Sequence, residues 1–475
     1  AAVAHFAYIE LDKPLEPGKK YVLTTPNEEK VSFEWDEHKN ISQAFKINQV
    51  GYMPDAGRKY GYIGGWLATL GSFDPGGMNS KRFSVIDEKT GKEVLKGPVL
   101  YRSREKYHFL HGRKMPLYGE NIWDMDFSKL TAPGKYHFYV PGIGRSETFE
   151  ISNNAIGKAF YTHIRGLYHQ RSGIAKKPPY TEWVMGADHK ESWKGGFIPT
   201  ESEYSTKQQS PYGFRDQNGN PVTLKHFTMV HETATDKKLP DVWGGWWDAG
   251  DFDRRQQHFR IVEDLLSAYL MYPGKFKDGQ QHIPESGNGV PDIVDEVLWC
   301  MEMWRRAQSP NGGIGCWIEA DSHPTEWNPS KDKQRYYLAA PTVHSSLRYS
   351  IHAGLTAMAL RKCGQKELAD KYIKSAEKAF VYAISPNNAY SVSWEHYDEK
   401  ARRKVLWSYR ENPDLPKDLL FRAALHLFIL TSNQGYYRYL KPDAFGYTLM
   451  RSSYPYTPFS LTALAVTKDI FPEYR

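Results

Sequence analysis

The chain has 475 residues, 40% hydrophobic and 25% charged, ordinary values for a folded protein of two or three domains that needs no disulfide staples. Its net charge of +7 is spread out with no run of five basic residues, which disfavours nucleic-acid binding, and no apolar run is long enough to insert in a membrane. Aromatics reach 14%, with 32 Tyr and 14 Trp, a supply suited equally to stacking on ring-shaped ligands and to filling β-rich cores. The first stretch reads as strands. "KKYVLTT" and "KVSFEW" alternate apolar and polar positions, the period of half-buried strands. "GRKYGYIGGW", "RFSVIDEKTGKEVLKG" and "GKYHFYV" follow, with turn signals at Lys89-Thr90-Gly91 and Pro133-Gly134. Short strands at this spacing predict an antiparallel sandwich up to about Ile151.

At Asn153-Asn154 the period changes. "AIGKAFYTHIRGLYHQR" places Ile156, Phe160, Ile164 and Leu167 on one helical face. Helical patterns recur at "HFRIVEDLLSAYLM", "PDIVDEVLWCMEMWRRAQ", "SSLRYSIHAGLTAMALRKCG", "KELADKYIKSAEKAFVYAI", "KDLLFRAALHLFILTS" and "PFSLTALAVTKDI". Pro291 and Gly364 stand where a helix start and a helix stop belong. Successive helices with no strands between them predict a bundle or an α/α toroid. From about Lys176 to Gly245 no convincing helix is visible, and a loop that long is usually functional or disordered. Cys300, Cys316 and Cys363 lack CxxC spacing, which disfavours a zinc site or a disulfide framework. One bridge stays open; Cys300, inside an apolar helical pattern, reads as a buried thiol. Ala1 is not followed by a signal-peptide pattern, as in a mature secreted chain or a cytoplasmic one.

The long loop leads into "VWGGWWDAGDFDRR", Val242–Arg255, where two tryptophans precede the carboxylates Asp248 and Asp251. Three readings compete. A calcium loop of the EF-hand type counted from Asp248 fails, because its sixth position is Asp253 and its twelfth is Phe259. Asp251 or Asp253 capping the following helix is a structural reading of equal standing. The third is a catalytic pair, one carboxylate orienting a water and the other taking its proton, with the tryptophans as a platform for a sugar ring.

The neighbouring residues add to the third reading. "GGWWDAGD" resembles the signature of glycoside hydrolase family 9, and "IPESGNGVPDIVDE" at Ile283–Glu296 is similar to that family's next landmark. "SHPTEWNPSKDKQRYY" and "YRENPDLPKDLLFRAALHLFILTSNQGYYRYL" resemble its later segments. "FKINQVGYMP" and "DFSKLTAPGKYHFYVPGIGRSETFEI" resemble the immunoglobulin-like domain that precedes many members. The resemblance covers nearly the whole chain in the right order. It implies a multidomain protein: an all-β immunoglobulin-like sandwich over 1–153, then an all-α (α/α)6 toroid over 154–475, with helices missing at the C-terminal end.

The resemblance further implies an inverting β-glycoside hydrolase acting on cellulose, xyloglucan or mixed-linkage glucan. Asp251 would be the general base and Asp248 would help hold the water. Trp247 would offer sugar-stacking surface, His323 and Arg335 would bond sugar hydroxyls, Tyr409 would line the cleft and Trp327 its rim. Singly, His323 and Arg335 read equally as parts of a structural loop network. Asp292 and Glu296 are assigned to helix-start electrostatics. Two departures stand out. Trp327 follows His323 by four residues where the family commonly has three, and Phe252-Asp253-Arg254-Arg255 replaces the usual residues after the signature. The family's general acid, a Glu in a late Asn-Glu pair, has no match; the only carboxylates after Asp418 are Asp443, Asp469 and Glu473. No cofactor is expected; a structural calcium, known in some relatives, has no assignable loop here. A β-linked glucan or oligosaccharide is the expected partner and the secreted or periplasmic space the expected location. Alternatives are a non-catalytic carbohydrate-binding protein, a scaffold, or an exo-acting β-glucosidase or glucosaminidase, the last calling on acids such as Glu201 or Glu203.

Overall fold

The computed structural model describes residues 8–25, 27–104, 108–110, 113–115, 119–197, 226–388, 391–398, 402–410 and 417–440. The chain divides into two compact units, Ala1–Thr162 and His163–Arg475.

The first unit is a two-sheet antiparallel sandwich. One sheet orders the strands 45–46, 60–63, 121–126 and 100–104; the other orders 144–145, 134–140, 82–87 and 93–98, with 149–151 also pairing to 134–140. Along 134–140 the side chains of Tyr136, Phe138 and Val140 point inward, as the two-residue period of a strand requires. They meet Ile63, Trp123 and Met125 from the opposite sheet in one core. Phe127 packs edge-on against Phe138 with centroids 5.2 Å apart. The turn at Lys89-Thr90-Gly91 forms as expected: Asp87 Oδ1 accepts from the Lys89 and Thr90 amides, and Gly91 takes a left-handed φ of 67°. The strands Lys20–Thr24 and Lys30–Glu34 pair as a hairpin, yet they are exposed along almost their whole length. Alternation alone overstated their burial, because no layer covers either face of the ribbon.

The chain then turns helical. The described residues hold seven α-helices: α1 Ala155–Gln170, α2 His226–Thr233, α3 Phe259–Met271, α4 Asp292–Arg306, α5 Val343–Lys362, α6 Lys366–Ile384 and α7 Lys417–Thr431. The segment Pro458–Ile470 read as helical lies outside the described residues. The buried stripe of α1 runs through Ala155, Ile164 and Tyr168, while Ile156 is 66% exposed, so the expected face is rotated. Two expectations fail in the middle of the chain. The stretch between Lys176 and Gly245 does contain a helix, α2, too short to show a full apolar period. Strands also occur among the helices: a hairpin 391–398/403–410, and a small sheet ordered 238–239, 192–194, 337–338, 317–319, 254–255. Strands of two or three residues are too short to display alternation.

Helix α5 is buried nearly all round and packs against α3, α4, α6 and α7. Thr342 and Ser345 form a reciprocal capping box at its start. Its polar residues are satisfied inside the bundle, as in Ser350 Oγ donating to the Ala376 carbonyl at 2.9 Å. Arg422 of α7 donates to Glu263 Oε1 of α3 at 2.6 Å, a buried link between helices. Cys300, Cys316 and Cys363 are free thiols, and burial pushes Cys300 up. No helix among the described residues is long and apolar enough to cross a membrane.

Candidate active site

The aspartate turn is built from below by its tryptophans. Gly244 and Gly245 lead in at φ 105° and 74°, and a Cβ on Gly245 would sit 2.9 Å from Met303 Cε. Trp246 Nε1 then donates to Glu296 Oε1 at 2.9 Å, and Trp247 Nε1 donates to Asp188 Oδ2 at 2.9 Å. Both indoles are buried, and the Lys176 ammonium lies 4.1 Å from the Trp247 ring centroid. Trp247 therefore holds the turn in place from inside the fold. Glu296 also accepts both Nε and Nη2 of buried Arg171, at 3.0 and 2.9 Å. That is a tertiary anchor, not the helix-start role expected of it. Asp292 closes the preceding loop by accepting from the amides of Gly279 and Gln281 and from Ser286 Oγ.

Within the turn, the Asp248 amide donates to the Asp253 carbonyl at 2.9 Å and the Asp251 amide to the Asp248 carbonyl at 3.3 Å. Ala249 and Phe252 adopt left-handed φ values of 51° and 59°, unfavourable for side-chain-bearing residues and held here by the surrounding contacts. The side chains of Asp248 and Asp251 are left 41% and 31% exposed, whereas Asp253 is fully buried. Neither Asp251 nor Asp253 caps the next helix: the residue before α3 is His258, with no side-chain cap bond. The capping reading is corrected accordingly.

One guanidinium organises the carboxylates. Arg255, on the strand Arg254–Arg255, places Nε 3.0 Å from Asp248 Oδ2 and pairs with Asp253 Oδ2. Its Nη2 stands 3.6 Å from Glu319 Oε2 and 4.0 Å from Asp251 Oδ2. The guanidinium lies over the Trp317 ring, whose Nε1 donates to Asp253 Oδ2 at 2.6 Å. Burial, with the Glu319 charge beside it, pushes the Asp253 carboxyl up to about 7, against the pull of Arg255. Its Oδ1 is buried without a hydrogen-bond partner, consistent with a carboxyl that readily keeps its proton. His258, with Nε2 3.8 Å from Asp248 Oδ1, and Arg255 hold Asp248 below the usual carboxylate range. Asp251 is tied less closely: His323 Nδ1 is 3.8 Å from its Oδ2, beyond hydrogen-bond length.

The structure thus brings together Asp248, Asp251 and His323. His323 is 71% exposed and meets Phe227 of α2 edge-on. Trp327 stands 97% exposed. Arg335 lies over the Trp193 ring and pairs with Asp236 Oδ1 at 2.7 Å, the kind of loop contact weighed for it above. Tyr409 lies on the strand Arg403–Arg410 opposite Val392, and its side chain is outside the described residues. Glu201, Glu203, Asp443, Asp469 and Glu473 are likewise outside them. Arg255 and Asp253 sat in the quoted motif but were assigned no part in its chemistry; Glu319 and His258 carried no local signal.

Residues 157–464 match the sequence model of Glycosyl hydrolase family 9, and residues 40–145 match that of the Cellulase N-terminal ig-like domain. A cellulose 1,4-beta-cellobiosidase of Acetivibrio thermocellus is 26% identical over 83% of this chain and 41% of its own length. A xyloglucan-specific endo-beta-1,4-glucanase of Bacteroides ovatus is 22% identical over 74% of this chain and 51% of its own. The chain therefore spans about half the length, or less, of these relatives. A metagenome-derived glycoside hydrolase family 9 endoglucanase superposes with a TM-score of 0.58 at 24% identity, covering 89% of this chain and 71% of that one. A family 9 structure from Bacteroides ovatus gives 0.59 at 20%, over 84% and 63%. At these identities the likeness speaks for the fold: a β-sandwich followed by a helical unit of the (α/α)6 class.

Proposed function

The chain belongs to glycosyl hydrolase family 9, and from that membership we propose that it hydrolyses β-linked glucan chains with inversion at the anomeric carbon. We assign residues 1–153 to the immunoglobulin-like domain and 154–475 to the hydrolase domain. The observation that carries the reading is the unequal treatment of two neighbouring carboxylates on one rigid turn. Asp248 is tied to Arg255 at 3.0 Å and kept ionised, while Asp251 has only the His323 ring at 3.8 Å and Arg255 at 4.0 Å beside it among the described residues. A carboxylate so placed can accept a hydrogen from water.

In this mechanism Asp251 takes one proton from a water that Asp248 orients through the other. The water oxygen bonds to the anomeric carbon as the glycosidic C–O bond breaks on the opposite face. A general acid, roughly 6.5–9.5 Å from the base, returns a proton to the departing oxygen. We assign His323 to bond a sugar hydroxyl and exposed Trp327 to stack on a ring at the rim, with Arg335 and Tyr409 in the same cleft. The substrates named for the relatives, cellulose and xyloglucan, are neutral β-glucans, and we extend that class to this chain.

A β-cellobiosyl fluoride tests the base directly, because fluoride departs with little help from a proton donor. Asp251→Asn is expected to lower kcat by about 10²–10⁴-fold, and NMR is expected to show the α-anomer as the first product. Undiminished turnover by Asp251→Asn, or a β-anomer formed first, overturns the assignment. Oligosaccharide binding without turnover of any substrate points instead to a carbohydrate-binding protein.

A further inference from the structure

We propose that His189 is a positioning residue for the base, the centre of a buried clamp that grips the aspartate turn at both ends. The inference rests on the reading of Asp251 given above. The His189 ring has Nδ1 2.9 Å from Asp188 Oδ2 and Nε2 3.0 Å from Asp332 Oδ2, and all three side chains are buried. Asp188 reaches the start of the turn, accepting Trp247 Nε1 at 2.9 Å. It is itself fixed by Ser172 Oγ and the Gly173 amide, both at 2.8 Å; against the push of burial, His189, Trp247 and the Gly173 amide hold its carboxyl down at about 2. Asp332 reaches the other end through Tyr336, whose hydroxyl lies 2.9 Å from Asp332 Oδ2 and 3.0 Å from the Asp251 carbonyl oxygen. An unbroken chain of contacts thus runs Trp247, Asp188, His189, Asp332, Tyr336, Asp251.

Its logic follows from donor arithmetic. A phenol has one proton, and two oxygens compete for the proton of Tyr336. Carboxylates face both ring nitrogens of His189 and each accepts from an N–H; the one on Nε2 satisfies part of the demand of Asp332. The phenolic proton is then available to the Asp251 carbonyl. Without the His189 donor, Asp332 draws the proton to itself and the carbonyl at the end of the turn is released. The base would keep its identity and lose its aim. The Tyr336 ring is held independently: it packs on His189 with centroids 4.5 Å apart, and the Arg254 guanidinium lies 5.0 Å from its centroid.

Tyr336→Phe removes only the hydroxyl and keeps that packing. On the glycosyl fluoride we expect kcat to fall about 10- to 100-fold with KM within about twofold, since misplacing a reacting group by about 1 Å costs on that scale. His189→Phe keeps a ring beside Tyr336 and removes the N–H given to Asp332, breaking the link at its centre. Because the two act through one phenol, Tyr336→Phe combined with His189→Phe should lose no more than the worse single change. A merely structural role lowers the melting temperature or the folded fraction and leaves kcat per folded molecule untouched; that result, or strictly additive losses, overturns the clamp. Should Tyr336→Phe fail to fold, His189→Phe alone decides between these outcomes. Asp251→Asn serves as the control. If it is inactive while Tyr336→Phe turns over normally, the clamp falls and the base stands; if it is fully active, the base assignment itself falls.

Discussion

Asp253→Asn isolates the buried acid behind the turn. Asp253 is fully buried against Trp317, Arg255 and Glu319, and its carboxyl is pushed up to about 7 from 3.8. The fold therefore favours the protonated form. Its stabilising contribution is complete below 3.8 and is lost as pH rises through 7, with a limiting slope of about 1.4 kcal/mol per pH unit. Integrated between pH 5 and 7, the loss is about 2 kcal/mol; from pH 7 to 9 it is under about 0.5 kcal/mol. Asparagine has the shape of the acid and cannot titrate. Its own contact with Arg255 does not change with pH over this range, so the difference between the two proteins carries the signal. Urea unfolding at pH 5, 6, 7 and 8 should show the wild type losing about 2 kcal/mol relative to the variant, nearly all of it below pH 7. A difference that stays flat across the series refutes the argument, because it would mean that Asp253 is ionised throughout.

Two further substitutions test the frame around the site. Glu296→Gln leaves buried Arg171 with Glu285 alone while Trp246 keeps an acceptor, and should cost about 3–5 kcal/mol in urea unfolding; a change under about 1 kcal/mol contradicts the anchor role. Gly315→Ala would set a Cβ 2.0 Å from the Ala339 carbonyl oxygen, backbone that cannot step aside, so a loss of at least about 1–3 kcal/mol is expected in thermal unfolding; an unchanged melting temperature refutes the close approach.

Much of the helical scaffold was legible because it depends on local periodicity. The apolar residues of α3, α4 and α6 recur at helical spacing; Pro291 marks the start of α4 and Gly364 follows the end of α5. Asp248 and Asp251 were legible for a similar reason: they are three residues apart on a turn that their own neighbours force. The contacts that aim them were not. His189 and Asp332 are 143 residues apart, and Arg171 lies 125 residues from Glu296. No window of sequence holds both partners. The strand pairing of Arg254–Arg255 with Trp317–Glu319, which brings Glu319 to Arg255, spans two residues on one side and three on the other, too little for any period to register. The hairpin 391–398/403–410 could have been found, since Val392, Trp394 and His396 alternate with polar residues ahead of "ARRK".

The crowding of acids around Arg255 bears on which polymers can approach. The chain as a whole carries +7, yet Asp248, Asp251 and Glu319 gather about one guanidinium, with protonated Asp253 behind them. Plain hexose chains bring no charge to that local excess. A pectin- or alginate-like strand, studded with uronates, would meet repulsion from Asp248 and Asp251 at close range. On the function proposed above, such selectivity would need no steric gate, since it would follow from the carboxylates gathered around Arg255.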